Sequence, residues 1–145
     1  MKQESYILKS LQDCDKLAIY LCKYIQKGCV VTLQGNLGAG KTTMASYLIS
    51  YLANLDKEEI TSPTFNLVSC YHTNESMIWH FDLYRLKNIA ELYEIGIEEA
   101  LSRNYIALIE WPEIAEQILP KSNRIDIILK YQDDFRKCDI IFRDA

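Results

Sequence analysis

Eight consecutive residues, Gly35-Asn36-Leu37-Gly38-Ala39-Gly40-Lys41-Thr42, satisfy the pattern G-x-x-x-x-G-K-[ST] at every fixed position. Each fixed position has its own chemical task. The glycines let the backbone turn tightly and bring N–H groups up to phosphate oxygens without side-chain clash. Lys41 has the reach to meet the β- and γ-phosphates of a nucleotide, and the Thr42 hydroxyl suits Mg2+. Asn36, Leu37, Ala39 and Thr43 complete the stretch of backbone that would wrap the anion. A helix starting here would aim its partial positive end at that anion.

Mg2+ bridging phosphates takes oxygen ligands, so an acid is required nearby. Two segments offer one. Residues 106–110 form an apolar run ending in Glu110, the layout of a Walker B strand with Glu in place of Asp. In residues 79–85, a strand period of two puts His80, Asp82 and Tyr84 on one face and Trp79, Phe81 and Leu83 on the other. A polar trio opposite an apolar one suits a strand facing a cleft. The same residues also fit a solvated strand face, and Glu110 also fits an acid capping the helix after Pro112. Thr64 follows Ser62-Pro63 in a turn-rich connector, which reads either as a segment that senses a γ-phosphate or as an ordinary turn. His72 reads as an exposed hairpin residue. Trp79 and Trp111 read as packing residues, with Trp111 placed beside Glu110 to hold the acid.

The elements that must position these residues are legible in the apolar spacing. Residues 5–9 predict a first strand, and Ser10-x-x-Asp13 predicts a helix start. Apolar residues at Cys14, Leu17, Ala18, Leu21, Cys22 and Ile25 continue that helix, and Gly28 is the expected C-cap. Residues 29–33 are apolar and β-branched, as in a buried strand, and residues 44–52 carry no charge, as in a buried helix. Residues 65–72 and 76–84 predict a hairpin, Asn88-x-x-Glu91 opens a short helix that Gly96 interrupts, and residues 105–109 are a further strand. Apolar residues at Ile125, Ile127, Leu129 and Tyr131, then at Cys138, Ile140 and Phe142, predict a second hairpin. The expected fold class is α/β: a P-loop NTPase-like three-layer sandwich, its mixed and mainly parallel sheet carrying added antiparallel hairpin strands at one side. Nucleotide would sit at the carboxyl ends of the parallel strands.

Composition bounds the rest. The 145 residues suit a single P-loop ATPase domain, 1–145, with 49% apolar and 25% charged residues. There is no run long enough to cross a membrane and no apolar core of a signal peptide near Met1, so a cytoplasmic location is expected. Five scattered cysteines with no C-x-x-C pair imply reduced thiols and neither a disulfide framework nor a zinc site. With 16 Lys and Arg against 20 Asp and Glu and no basic run, independent nucleic-acid binding is not expected.

Taken in order and spacing, residues 35–43, Ser62-Pro63-Thr64-Phe65, His80-Phe81-Asp82-Leu83-Tyr84-Arg85 and Ile109-Glu110-Trp111-Pro112 resemble the bacterial TsaE (formerly YjeE) family. That resemblance implies a P-loop ATPase that binds ATP and Mg2+ and hydrolyses slowly alone. It implies assembly with a TsaB–TsaD pair, which makes N6-threonylcarbamoyladenosine at position 37 of tRNA and which ATP hydrolysis would reset; tRNA would be met only through that complex. By match to the family motifs, Lys41 contacts phosphate, Thr42 and Glu110 hold Mg2+, and Asp82 assists the metal or orients the attacking water. Thr64 and its neighbours would form a switch-like segment, and Trp111 would support Glu110. Cys14 stands where many relatives have Thr, and Phe135-Arg136 where they have Gly-Arg, leaving Arg136 as a candidate at the base-binding edge. Two other classes fit a phosphate loop: a small-molecule or nucleotide kinase, and a switch that binds nucleotide without hydrolysing it.

Overall fold

Alternating and continuous apolar runs assemble into one seven-stranded sheet in a computed structural model that describes residues 1–36, 38–63 and 66–144. The strands are β1 (Lys2–Leu8), β2 (Val30–Gln34), β3 (Val68–His72), β4 (Met77–Asp82), β5 (Ile106–Glu110), β6 (Arg124–Gln132) and β7 (Phe135–Arg143). The helices are α1 (Leu11–Cys22), α2 (Lys41–Ala53), α3 (Ile89–Glu94) and α4 (Ile97–Ala100), with 3-10 turns at Lys57–Glu59 and Pro112–Ile118. Strand order is β1-β7-β6-β2-β5-β4-β3. The central β6, β2, β5 and β4 run parallel, while β3 and the β7-β1 pair are antiparallel additions.

The antiparallel strands therefore flank both edges instead of one side. The reason is that each hairpin lends one strand to the parallel core. β4 joins β5 and carries β3 outward, and β6 joins β2 on the opposite side and carries β7. Burial on both faces explains the continuous apolar runs of β2 and β5. Val31, Leu33 and Leu108 pack under α1 and α2, whereas Val30, Ala107 and Ile109 pack under α3, α4 and the Pro112–Ile118 turn. These are the three layers of a P-loop fold.

Several boundaries differ from the sequence expectation: β1 spans Lys2–Leu8 instead of 5–9 and β4 spans Met77–Asp82 instead of 76–84. α1 starts as predicted, with Ser10 Oγ accepting from Asp13 N at 3.2 Å, but it ends at Cys22, well before Gly28. Gly28, at φ 93°, turns the chain into β2 and donates its N–H to Tyr105 O at 2.8 Å; Ile25 is buried in the connector, outside the helix. β3 begins at Val68, preceded by Leu67 at φ 66°, whose N–H bonds Pro63 O at 2.6 Å; residue 65, where the strand was expected to start, lies outside the described residues. The later punctuation holds. Asn88 caps α3, Gly96 in a left-handed conformation separates α3 from α4, and β6 and β7 form the second hairpin. No helix among the described residues is long and apolar enough to cross a membrane, and all five cysteines are free.

One buried feature was not expected. Asp126 on β6 is 1% exposed and lies opposite Thr32 in the β2–β6 register. Its carboxylate accepts from Thr32 Oγ1 at 2.5 Å, Arg124 Nε at 2.7 Å and Arg143 Nε at 2.7 Å. Arg124 also pairs with Glu116 at 2.9 Å, so the cluster ties β6, β7 and the Pro112–Ile118 turn together. Burial pushes the Asp126 carboxyl up, but hydrogen bonds from Thr32, Arg143 and Arg124 together outweigh it and hold the group below its ordinary value. A carboxylate shifted this way stabilises the fold above the ordinary Asp range and loses that contribution as pH falls through the lowered folded value. Asp126→Asn should therefore cost about 2–4 kcal/mol at neutral pH by leaving Arg124 and Arg143 underpaired. The gap to the parent should close toward acid pH in urea titrations run across a pH series.

Candidate functional site

The loop between β2 and α2 is shaped by glycine at the positions where a side chain cannot exist. Gly35, at φ 145°, would place a Cβ 2.4 Å from Leu129 O on β6, so the loop passes directly against that strand. Gly40 is the N-cap of α2 at φ 101°, in the left-handed region, and the Arg136 side chain packs against it. No acid lies in the first turn of α2 and no side chain caps it. The helix thus offers its leading N–H groups uncompensated, as an anion site requires.

Lys41 is 5% exposed, and its Nζ donates to the carbonyls of Gly35 at 2.5 Å and Asn36 at 2.8 Å. The same ammonium sits 4.1 Å from the centroid of the Trp111 ring, and Trp111 packs against Tyr84 with ring centroids 4.7 Å apart and planes tilted by 43°. Burial pushes the Lys41 amine below its ordinary value, with the Glu110 and Asp82 carboxylates acting against that shift. The lysine is therefore pre-placed along the inside of the loop.

Glu110 closes β5, 1% exposed, and receives two partners from separate elements. Thr42 Oγ1 at the start of α2 donates to its Oε1 at 2.9 Å, and His80 Nε2 on β4 contacts its Oε2 at 2.7 Å. Asp82 is the register partner of Glu110 across the β4–β5 ladder. It is half-buried, and its Oδ1 accepts from Tyr84 N at 3.1 Å. Burial pushes the Asp82 carboxyl above its usual value, with the Tyr84 N–H opposing and Glu110 adding to it.

These groups share one cleft of about 560 Å3 at the carboxyl ends of the parallel strands, which Gly38, Gly40, Lys41, Thr42, Thr43, Asp82, Glu110, Trp111 and Arg136 line together with Tyr84 and Arg85. A smaller apolar slot beside it brings Cys14, Leu8 and Leu11 up to Gly40, Thr43 and Arg136. Arg136 donates to Gly38 O at 3.3 Å and lies 5.3 Å over the Tyr131 ring. The donors suit a hard cation: a hydroxyl and carboxylates, with no thiolate or free imidazole turned to the cleft.

Against this geometry, the comparisons are decisive. A family model described as "Threonylcarbamoyl adenosine biosynthesis protein TsaE" matches residues 8–138. The chain belongs to the TsaE family. It is 41% identical over 141 residues to the tRNA threonylcarbamoyladenosine biosynthesis protein TsaE of Rickettsia bellii, covering 97% of this chain and 96% of that protein. The protein of the same name from Haemophilus influenzae is 38% identical over 123 residues, 85% of this chain and 76% of that one. Among solved structures, YdiB of Bacillus subtilis superposes with a TM-score of 0.74 at 27% identity, over 96% of this chain and 84% of that one.

Within this TsaE-family site, the residues singled out from sequence fall as follows. Gly35, Asn36, Gly38, Ala39, Gly40, Lys41, Thr42 and Thr43 form the loop and the head of α2, and Asp82 and Glu110 converge on it. Leu37 and Thr64, both expected to meet nucleotide, lie outside the described residues. The connector leading to Thr64 is anchored by Tyr71, whose hydroxyl accepts from Thr61 N at 3.3 Å and donates to Thr61 O at 3.2 Å. Trp111 was expected to support Glu110; its ring faces the Lys41 ammonium and lies against Tyr84, on a left-handed backbone at φ 57°. His80 supports Glu110. Strand period had put His80 on the right face, but no pattern told of its partner 30 residues away.

Two stability predictions follow from the local geometry. Gly35→Ala should cost about 1–3 kcal/mol or prevent the loop from closing, since both its dihedral and the Leu129 carbonyl oppose a Cβ; thermal melts would read this. Asp82→Asn keeps the acceptor for Tyr84 N while removing a charge the site holds at a cost. A carboxyl raised in the folded state loses stability as pH rises through its folded value. The variant should therefore gain a little under about 1 kcal/mol at neutral pH, vanishing below the ordinary Asp range in pH-dependent unfolding.

Proposed function

We propose that this chain is an ATP-binding, slowly hydrolysing subunit of the machinery that makes N6-threonylcarbamoyladenosine at tRNA position 37, acting in the cytoplasm. One observation carries the ATPase part: Lys41 and Thr42, Asp82, and Glu110, from three separate places in the chain's order, meet in a single cleft at the head of α2. The family and the names of its relatives support the pathway part.

In this reading the backbone N–H groups at Gly38, Gly40 and the start of α2 take the phosphate oxygens. Lys41 exchanges a loop carbonyl for phosphate, a trade its confinement by Trp111 makes inexpensive, since little side-chain freedom is left to lose. Thr42 and Glu110 are the residues that would hold Mg2+, with Asp82 assisting. Those residues would place Mg2+ where it would neutralise negative charge on the phosphates. Asp82, more easily protonated than an ordinary carboxylate, is suited to orient and partly deprotonate the attacking water. The apolar slot beside Gly40, with Cys14 and Arg136 on its walls, receives the base.

The TsaB–TsaD pair is the proposed partner, reset by hydrolysis between turnovers, and tRNA is met only through it. No Arg-rich insertion that could serve as a lid is visible in the sequence, which favours hydrolysis over the kinase reading.

Lys41→Ala should abolish ATP and ADP binding by calorimetry. Asp82→Ala should keep nucleotide binding and lower hydrolysis stimulated by a cognate TsaB–TsaD pair at least tenfold. Unchanged turnover of the parent on adding that pair, or phosphorylated product in a nucleoside and nucleotide screen, would overturn this reading.

A further inference from the structure

His80 is buried, with 1% of its side chain exposed, against a Glu110 side chain that is 2% exposed. Its Nε2 lies 2.7 Å from Glu110 Oε2. An ionised carboxylate only accepts, so Nε2 carries the hydrogen of that contact. The opposite ring nitrogen, Nδ1, is buried and has no hydrogen-bond partner among the described residues. A histidine retained for packing alone would be expected to satisfy both nitrogens or to give way to an apolar ring, because a buried polar atom without a partner is costly. This histidine leaves one nitrogen unsatisfied and commits the other to Glu110.

The commitment matters because Glu110 has few other anchors. Among the described residues its ion-pair contact is His80 alone, and its remaining side-chain hydrogen bond is the one it accepts from Thr42 Oγ1 at 2.9 Å. With Oε2 held from β4, Oε1 is left to order the Thr42 hydroxyl by taking its hydrogen, which leaves the hydroxyl's lone pairs for a cation. Without His80, Oε2 loses its partner in the interior and the carboxylate is released to rotate at the cleft it lines, taking the orientation of Thr42 with it.

We propose that His80 is a positioning residue for metal-linked nucleotide binding: it sets the Glu110 carboxylate, and through it the Thr42 hydroxyl, in the arrangement that receives Mg2+ with the nucleotide. This rests on the nucleotide-binding reading above and deepens it. The residue touches neither phosphate nor metal. It acts as the hydrogen-bonded supports of metal ligands commonly do, where loss of the support weakens metal affinity by about 10–100-fold.

The test separates metal-linked affinity from nucleotide affinity. Binding of AMPPNP is measured by calorimetry with Mg2+ and again in EDTA, for the parent, His80→Leu and His80→Gln. The parent should bind more tightly with Mg2+. His80→Leu should lose that tightening by about tenfold or more while its affinity in EDTA stays within about twofold of the parent. His80→Gln, which can restore an N–H toward Oε2, should recover a substantial part. Equal losses with and without Mg2+, an undiminished Mg2+ effect in His80→Leu, or no recovery in His80→Gln overturns the proposal. A parent that binds AMPPNP but shows no Mg2+ effect overturns it too, and one that binds nothing overturns the nucleotide reading as well. A second measurement needs no substitution: the chain has only two histidines, so ring 15N signals of labelled protein are readily assigned. The His80 signals should shift on adding Mg2+ to the AMPPNP-bound protein, and their indifference to the metal refutes the assignment even if both variants fail to fold.

Discussion

Three elements are held in one arrangement by a single buried carboxylate. Glu110 ends β5, takes a hydroxyl hydrogen from the first turn of α2 and meets an imidazole from β4. Everything proposed for the cleft depends on that junction. The loop can present its N–H groups only if α2 starts where it does, and Asp82 faces the loop only because the β4–β5 register sets it beside Glu110. A buried carboxylate is tolerable here because both oxygens are engaged; with either partner removed, the desolvation cost would fall on an incompletely paired charge.

The two ends of the parallel strands handle burial of charge in different ways. At one end, Asp126 is enclosed by Thr32, Arg124 and Arg143 and held below its ordinary pKa, with every partner drawn from the strands of the sheet. At the other, Asp82 is held above its ordinary pKa with one backbone N–H to offset its desolvation. The first arrangement spends its charges on structure. The second leaves a carboxylate under-satisfied and facing a cleft, which is where chemistry would use it.

Lys41 shows how a binding loop can be pre-ordered. Its ammonium is shared between two carbonyls of its own loop and the face of Trp111, which in turn packs at a tilt against Tyr84. Trp111 can lie there only because its backbone is left-handed, an unfavourable conformation for a bulky residue and one placed between the last residue of β5 and a proline. Local strain is thus set beside the site, with the packing of two strands and a helix to sustain it.

Sequence alone determined the phosphate loop, the head of α2, the two acids, the alternation of helix and strand and the family, because these depend on residue type and short spacing. Chain pattern carries glycine tolerance at positions 35 and 40, caps at Ser10 and Asn88, and strand period in residues 79–85. Tertiary structure decided the rest. Antiparallel strands fell on both edges because β4 and β6 were recruited to opposite sides of the β2–β5 pair, a matter of pairing between distant segments. Gly28 proved to be a turn into β2, since its N–H was claimed by Tyr105. Trp111 went to Lys41 and His80 to Glu110 because partners 30 or 70 residues apart are chosen by register and packing, and neither leaves a mark on local spacing.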